Sequence, residues 1–138
     1  MHIDFVNHAS IVVSAGDVRL ISDPWLEGTV FHDGWALTAR TVMTFEDFKD
    51  ITHIWFSHEH PDHFFPDNLK KIPEAYRRRI HVLYQETRDK KVVRFCQKLG
   101  FGSATELRPR TWMQVGEGVQ ILNCPNDTNW LADSWLCV

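Results

Sequence analysis

The chain has 138 residues, of which 43% are hydrophobic and 12% are aromatic, and its formal net charge is −3. This length suffices for one domain with one core, and the apolar content excludes a disordered chain. The near-neutral charge excludes a general polyanion-binding protein, and no apolar run reaches membrane-spanning length. We therefore expect a single domain over residues 1–138, with no nucleic-acid partner and no membrane span.

The N-terminal third predicts a small antiparallel meander. Short runs of β-branched and apolar residues indicate strands over residues 2–6, 10–14 and 18–21, and residues 15–17 form the last turn between them. Residues 23–40 are predicted to form a long loop that is rich in aromatic side chains. Such a loop either walls a substrate pocket or packs its aromatic rings over the core.

The middle of the chain predicts a helix, a buried strand, a second helix and a second strand. Residues 44–47 resemble a capping box, so a short helix is expected to run to about Asp50. The strand over residues 52–57 has an apolar centre, which indicates burial on both faces. A helix over residues 67–72 is expected to stop before the next proline, and residues 79–84 read as a strand.

The C-terminal third predicts one long helix and a series of short strands. Val92, Cys96 and Leu99 lie on one face of a helix over residues 86–99, and Gly100 is placed to cap it. The predicted strands lie near residues 104–107, 112–115 and 119–124, with a hairpin turn at 116–118 and the start of a further strand at 134–138. This alternation of strands and helices predicts an α/β layered domain.

The charges and cysteines carry less information. Ten of the fifteen Lys and Arg residues lie between Lys70 and Lys98, which favours a solvated helical face over an anion-binding patch. The odd count and wide spacing of Cys96, Cys124 and Cys137 exclude a disulfide framework, and Cys96 is expected in the core. Reduced thiols and the lack of a signal-peptide pattern predict a cytoplasmic location.

The densest group of metal-capable side chains follows the strand over residues 52–57. His58 and His60 are two residues apart, so in an extended backbone they face the same side and can bind one ion. Pro61 then changes the chain direction and brings Asp62 and His63 towards a second ion. Imidazole and carboxylate ligands suit zinc, iron or manganese. The competing interpretation is a surface loop that happens to be rich in histidine.

The run His-Glu-His-Pro-Asp-His at residues 58–63 resembles the HxHxDH signature of the metallo-β-lactamase fold superfamily. Residues 7–13 and 20–26 are similar to the opening of the branch that contains ascorbate-phosphate lactonases, N-acyl-phosphatidylethanolamine phospholipases and the lactamase-like part of CMP-sialic acid hydroxylase. The resemblance implies the N-terminal half of an αββα sandwich, with a mixed sheet and flanking helices. It also implies a metal-dependent hydrolase.

By this resemblance, His58 and His60 hold a first ion, whereas Asp62 and His63 hold a second. Asp62 is also expected to orient or deprotonate the attacking water, which makes it the candidate catalytic base. The expected substrate is a small ester, lactone or phosphodiester, and zinc is the expected metal, with iron or manganese as alternatives. Two other functions stay open: a degenerate metal-binding domain without catalysis, and an iron-dependent protein that modifies carbohydrates.

The sequence departs from the family pattern at the third ligand of the first ion. Relatives place a histidine in the loop after the last predicted hairpin, where this chain offers Cys124, Asn126 or Asp127 as substitutes. Asn126 and Asp127 suit a turn or a cap equally well. We expect His8 and Asp23 to orient metal ligands through hydrogen bonds, although Asp23 also fits a simple Asp-Pro turn.

Two further expectations concern what surrounds this site. The remaining histidines His2, His32, His53 and His81 are isolated in the sequence and are expected to be structural or solvent-facing. No histidine follows the last of them, and the second half of the superfamily's fold is missing, so the chain is expected to be incomplete at its C-terminus. Half a sandwich exposes a sheet face, which predicts a homodimer formed through that face.

Overall fold

The structure is a computed structural model, which describes residues 1–126 and 133–138. The strands of the described residues are β1 (His2–Asn7), β2 (Ser10–Ala15), β3 (Val18–Ser22), β4 (Thr29–Val30), β5 (Trp35–Ala36), β6 (His53–Phe56), β7 (His81–Gln85), β8 (Ser103–Leu107), β9 (Trp112–Gly116), β10 (Val119–Pro125) and β11 (Ser134–Cys137). The centre of the structure is a six-stranded mixed sheet in the order β1-β2-β3-β6-β7-β8. Strands β1 to β3 form the predicted antiparallel meander, and β6, β7 and β8 run parallel to β3.

Helices cover one face of the six-stranded sheet. They are a 3-10 helix (Phe45–Asp50), α1 (Pro66–Lys71), α2 (Glu74–Arg77) and α3 (Lys91–Leu99). The apolar sides of these helices pack against the apolar side chains on one face of the sheet and form a core. This packing is favourable because it removes apolar surface from water. The largest side chains of this core are Ile21, Phe48, Ile54, Phe56, Leu69, Ile72 and Tyr84. Cys96 of α3 lies in the same core, as predicted, and burial raises the pKa of its thiol to about 12.

A three-stranded antiparallel sheet, β9-β10-β11, packs on the opposite face. Val119 and Ile121 of β10 contact Leu20, Trp55 and Leu83 of the larger sheet in a second, smaller core. Helices, mixed sheet and antiparallel sheet therefore form successive layers, which is the layering expected for the N-terminal half of an αββα sandwich. The sequence alone did not predict that β9–β11 would cover this face.

The three-stranded sheet covers only part of the larger sheet. Ile3 and Phe5 of β1 are 55% and 69% exposed, although they are apolar residues of a sheet strand. Exposed apolar side chains therefore remain at the β1 end of the larger sheet, and also on the outward face of the smaller sheet, where Trp112 and Trp135 are 55% and 67% exposed. The homodimer stays a prediction. Among the described residues, no helix is long and apolar enough to cross a bilayer.

Three local differences from the predicted elements have physical causes. The helix predicted over residues 86–99 begins only at Lys91, because Lys90 adopts a left-handed conformation with φ 56° and the Asp89 carboxylate accepts the Lys91 N–H. It ends as predicted, at Gly100 with φ 85°. The predicted loop over residues 23–40 contains the small hairpin of β4 and β5. The capped segment near residue 44 forms a 3-10 helix.

The basic stretch between residues 70 and 98 pairs with acidic residues at the surface. Lys71 contacts Glu27, and Lys90 contacts Glu106 across elements that are distant in sequence. Such exposed pairs each contribute little to stability because water and salt screen them. They agree with the predicted solvated face.

His53 and His81, which are isolated in the sequence, are neighbours in the structure. His53 is buried and His81 is exposed, which agrees with their expected structural or solvent-facing roles. The parallel register of β6 and β7 places the two side by side, with ring centroids 5.3 Å apart. Burial, together with the charge of His81, lowers the pKa of His53 to about 4. His53 is therefore neutral in the folded chain at pH values where an unfolded histidine already binds a proton.

This pairing predicts that stability falls in mild acid. Between about pH 6.5 and about pH 4 the unfolded chain binds more protons than the folded chain, so the free energy of unfolding decreases as pH is lowered. We expect His53 alone to lower it by about 2 kcal/mol between pH 7 and pH 5. Urea denaturation at both pH values should show this loss in the wild type and in an exposed control, His2→Gln. An unchanged loss in His53→Gln would contradict the assignment.

Candidate metal centre

The metal loop (residues 57–65) follows the C-terminal end of β6, a strand whose four residues are all buried. The loop reverses direction as predicted after Pro61, and the backbone N–H groups of His63 and Phe64 both donate to the carbonyl of His60. This turn brings the four motif side chains to one edge of the sheet. It is the edge at which open parallel sheets carry their sites.

His58 and His60 turn ring nitrogens towards each other. Nε2 of His58 lies 3.0 Å from Nδ1 of His60. The Ser57 hydroxyl donates to Asp23, so its oxygen can accept from Nδ1–H of His58 at 3.0 Å. In this arrangement the Nε2 lone pair of His58 points towards His60, where an ion shared by the two rings would lie. Burial and the nearby charge of His63 lower the pKa of His58, which favours the neutral form that a metal ligand requires.

Asp62 and His63 form a second group with His8. Oδ2 of Asp62 lies 3.3 Å from Nε2 of His63 and 3.0 Å from Nε2 of His8. These three ligand atoms all lie within 4.8 Å of one another. Asp62 is 5% exposed, and its other oxygen, Oδ1, is buried without a hydrogen-bond partner. A buried carboxylate with an unsatisfied oxygen fits a cation, so the donor set suits one.

Asp23 orients His63 by binding Nδ1, the ring nitrogen that does not face Asp62. Its buried carboxylate accepts the Ser57 N–H at 2.8 Å, the Ser57 hydroxyl at 2.8 Å and Nδ1–H of His63 at 3.0 Å. Burial alone would lower the pKa of His63, but the hydrogen bond and the charge of Asp23 outweigh it and raise that pKa. A histidine whose far nitrogen donates to a carboxylate presents its other nitrogen in a fixed direction. Asp23 is thus more than the simple turn residue that was its alternative interpretation.

Aromatic side chains wall the site. The ring of Trp25 contacts His8 edge-on with centroids 5.5 Å apart, and Phe31 in the β4–β5 hairpin contacts His60 at 6.3 Å. A cavity of about 490 Å³ opens beside His8 and is lined by Trp25, Trp35 and Arg40, among others. The long aromatic loop therefore packs Trp25 into the buried part of the protein and places Trp35 at a cavity. That this cavity holds a substrate stays a prediction.

The sequence suggested Cys124, Asn126 and Asp127 as substitutes for the histidine that relatives use as third ligand of the first ion, and the structure places them differently. Cys124 lies on the outward face of β10 near Cys137, because the inward positions of that strand are Ile121 and Asn123. It is therefore wrongly placed for the site. Asn126 donates its backbone N–H to the carbonyl of Asp133. Asp127 lies outside the described residues.

Sequence reasoning missed the contribution of β11. Asp133, just before this strand, places Oδ1 3.6 Å from Nδ1 of His58. The hydroxyl of Ser134 donates to the Ser57 carbonyl at 2.9 Å and so fastens β11 to the metal loop. The only signal was an acidic residue at the start of a strand-like run, which is too common to single out.

Comparison with known proteins supports a shared fold. The structure resembles a possible metal-dependent hydrolase from Veillonella parvula with a TM-score of 0.70 and 14% identity, covering 97% of this chain and 56% of that chain. It also resembles CmlA, a diiron β-hydroxylase from Streptomyces venezuelae, with a TM-score of 0.67 and 20% identity, covering 97% and 26% of the two chains. At these identities the likeness concerns the fold alone.

Sequence relatives point to the same superfamily. The inactive cytidine monophosphate-N-acetylneuraminic acid hydroxylase of Homo sapiens is 34% identical over 73 residues, which is 52% of this chain and 15% of that protein. The hydroxylase of Sus scrofa is 37% identical over 68 residues, or 49% and 16%. The chain thus matches a small part of these relatives. Residues 2–127 match the model of the beta-lactamase superfamily domain, and the chain belongs to this superfamily of metal-dependent enzymes.

Proposed function

We propose that this domain carries the metal-binding residues of a hydrolase that acts on a small ester, lactone or phosphodiester. The observation that carries the proposal is the convergence of two donor groups at one sheet edge, with His58 and His60 in the first and Asp62 and His63 in the second. We propose zinc as the metal, with iron or manganese as alternatives, because imidazole and carboxylate donors suit all three.

The protein's own groups define the chemistry at this edge. A bound divalent ion would supply an activated water and polarise a carbonyl or phosphoryl oxygen. The Asp62 carboxylate, held by His8 and His63, is placed to accept the proton of an attacking water. The rings of Trp25 and Phe31 contact His8 and His60 and so place apolar surface beside the proposed ligands. Arg40, which lines the adjoining cavity, is suited to an anionic group on the substrate.

A second candidate is iron-dependent oxygen chemistry. It is supported by the names of two similar proteins, since CmlA is a diiron β-hydroxylase and the Sus scrofa relative is a cytidine monophosphate-N-acetylneuraminic acid hydroxylase. The same donor set would hold iron, because histidine and carboxylate ligands with open positions suit non-haem iron. The two candidates differ in whether turnover needs oxygen.

The test compares metals and substrates in one design. Metal-free protein is loaded separately with Zn²⁺, Mn²⁺ or Fe²⁺ and assayed against ester, lactone and phosphodiester substrates, with Asp62→Asn as the inactive variant and His2→Ala as the control. Hydrolysis with Zn²⁺ or Mn²⁺ in the absence of oxygen, lost in Asp62→Asn, is the expected result. Turnover only with Fe²⁺ and oxygen would favour the second candidate. Metal binding without any turnover would make this a non-catalytic metal-binding domain and overturn both.

We also propose that two copies associate through the exposed end of the larger sheet, where Ile3 and Phe5 lie. Burying these side chains removes apolar surface from water. Light scattering coupled to size-exclusion chromatography should give a dimer for the wild type and a monomer for Ile3→Lys/Phe5→Lys. The control is Val42→Lys, at an exposed apolar residue elsewhere. A wild-type monomer would contradict the proposal.

A further inference from the structure

His8 is held in place by an unusual piece of backbone. It lies in the tight connection between β1 and β2 and has φ 36°, a left-handed conformation that histidine adopts more readily than most residues. Its neighbour Asn7 is buried and donates its side-chain N–H to the Trp25 carbonyl at 2.9 Å. The Trp25 ring then packs edge-on against the His8 imidazole. Both backbone and ring contacts therefore fix the direction of the His8 side chain.

The hydrogen bond between His63 and Asp23 directs the other ring nitrogen of His63 at the Asp62 carboxylate, beside His8. Nδ1–H of His63 is donated to Asp23, so the remaining nitrogen, Nε2, carries a lone pair when the ring is neutral. That lone pair faces Oδ2 of Asp62 at 3.3 Å. Two acceptors at this distance repel each other unless positive charge lies between or beside them, either as a second proton on the His63 ring or as a metal ion. The arrangement calls for positive charge where His8 also points.

The distances agree with one ion shared by three ligands. Oδ2 of Asp62 lies 3.0 Å from Nε2 of His8 and 3.3 Å from Nε2 of His63. Neighbouring ligands around a tetrahedral ion with bonds of about 2.0–2.1 Å are about 3.3 Å apart. A hydrogen bond from His8 to Asp62 would account for one of these contacts, but it would not explain why a second imidazole nitrogen, from His63, approaches the same oxygen.

We propose that His8 is the third protein ligand of the ion held by Asp62 and His63. This inference rests on the proposed metal centre and adds to it a ligand from the first β-hairpin, which lies outside the HxHxDH motif. The resulting set of two imidazoles and one carboxylate comes entirely from residues 8–63. It suits zinc or iron and leaves a position open for water or substrate. The side chain of His8 is 34% exposed, so solvent can reach this position.

Cobalt(II) binding tests the role of His8 without any assay of turnover. Metal-free wild type, His8→Ala, His8→Asn and the exposed control His2→Ala are titrated with Co²⁺. Equilibrium dialysis counts the bound ions, visible absorption follows their coordination, and X-ray absorption counts the imidazole ligands. Asparagine tolerates the left-handed backbone and can still donate a hydrogen bond to Asp62, so His8→Asn separates a ligand from a hydrogen-bond donor. Circular dichroism checks that each variant is folded.

We expect the wild type and His2→Ala to bind about two Co²⁺ ions, and both His8 variants to bind one of them at least about 10-fold more weakly with one imidazole fewer. Wild-type binding in His8→Asn, with or without a loss in His8→Ala, would overturn the proposal and leave His8 as a donor that positions Asp62. The metal centre itself would stand in that case. No Co²⁺ binding by the wild type would instead overturn the proposed function, and the role of His8 with it.

Discussion

Replacing Asp23 with alanine is expected to weaken the metal centre and the fold together. The substitution removes the carboxylate that accepts three hydrogen bonds from Ser57 and His63. Loss of such an orienting partner costs about 10–100-fold in metal affinity. It also leaves buried donors without a partner, which lowers the free energy of unfolding by about 3 kcal/mol. Calorimetric titration with Zn²⁺ and urea denaturation measure the two effects.

A conservative variant and an exposed control accompany Asp23→Ala. Asp23→Asn keeps the shape but turns one oxygen into a donor, so it cannot accept all three bonds, and we expect it to fall between wild type and Asp23→Ala. Asp4→Ala removes an exposed aspartate of β1 and should change neither quantity. If Asp23→Asn bound Zn²⁺ as tightly as the wild type, the carboxylate would have no part in orienting His63.

Phe56→Ala is expected to give the largest loss of stability. Phe56 is fully buried at the end of β6, directly before the metal loop, and its ring contacts Phe64 within that loop at 5.1 Å. Truncating a buried phenylalanine costs about 3–5 kcal/mol, because apolar burial is lost and a cavity remains. That is a large share of the roughly 5–15 kcal/mol by which a typical domain is stable. Urea denaturation at pH 7 measures the loss.

The matched variant is Phe56→Leu, which keeps most of the volume and should cost less than about 1.5 kcal/mol. Since Phe56 and Phe64 connect the core to the loop, Phe56→Ala should also weaken metal binding, whereas Phe56→Leu should not. A cost below about 1 kcal/mol for Phe56→Ala would mean that the core beneath the loop is not packed as described.

The metal loop shows how much of the candidate site the sequence could predict. The spacing of His58 and His60 and the turn at Pro61 depend on local backbone geometry, and the structure brings these side chains together. Strand β6, which precedes the motif, was also predicted from the sequence, because an apolar run of β-branched and aromatic residues suits a strand buried on both faces. Whether these residues bind metal stays a prediction.

The contacts that sequence reasoning missed all join residues far apart in the chain. His53 meets His81 only because β6 and β7 run parallel in one register. Asp133 meets His58 only because β11 packs over the larger sheet, and Ser134 then bonds to the Ser57 carbonyl. Neither pairing has a local signal, since side-chain contacts across sheets are set by tertiary packing.

The late start of α3 has a different cause. Val92, Cys96 and Leu99 gave the helical face correctly, but the N-terminal boundary was set by the left-handed backbone of Lys90. A lysine carries no propensity for that conformation, so composition could not place the boundary. Element ends are decided by such single residues, whereas the apolar face depends on many.

The most direct measurement is the metal content of the purified chain by elemental analysis, beside the double variant His58→Ala/Asp62→Ala. We expect about one or two equivalents of zinc, iron or manganese in the wild type. The double variant should lose the metal while its circular dichroism stays that of a folded protein. A folded wild type without bound metal, even after dialysis against each ion, would contradict the central claim that this sheet edge is a metal centre.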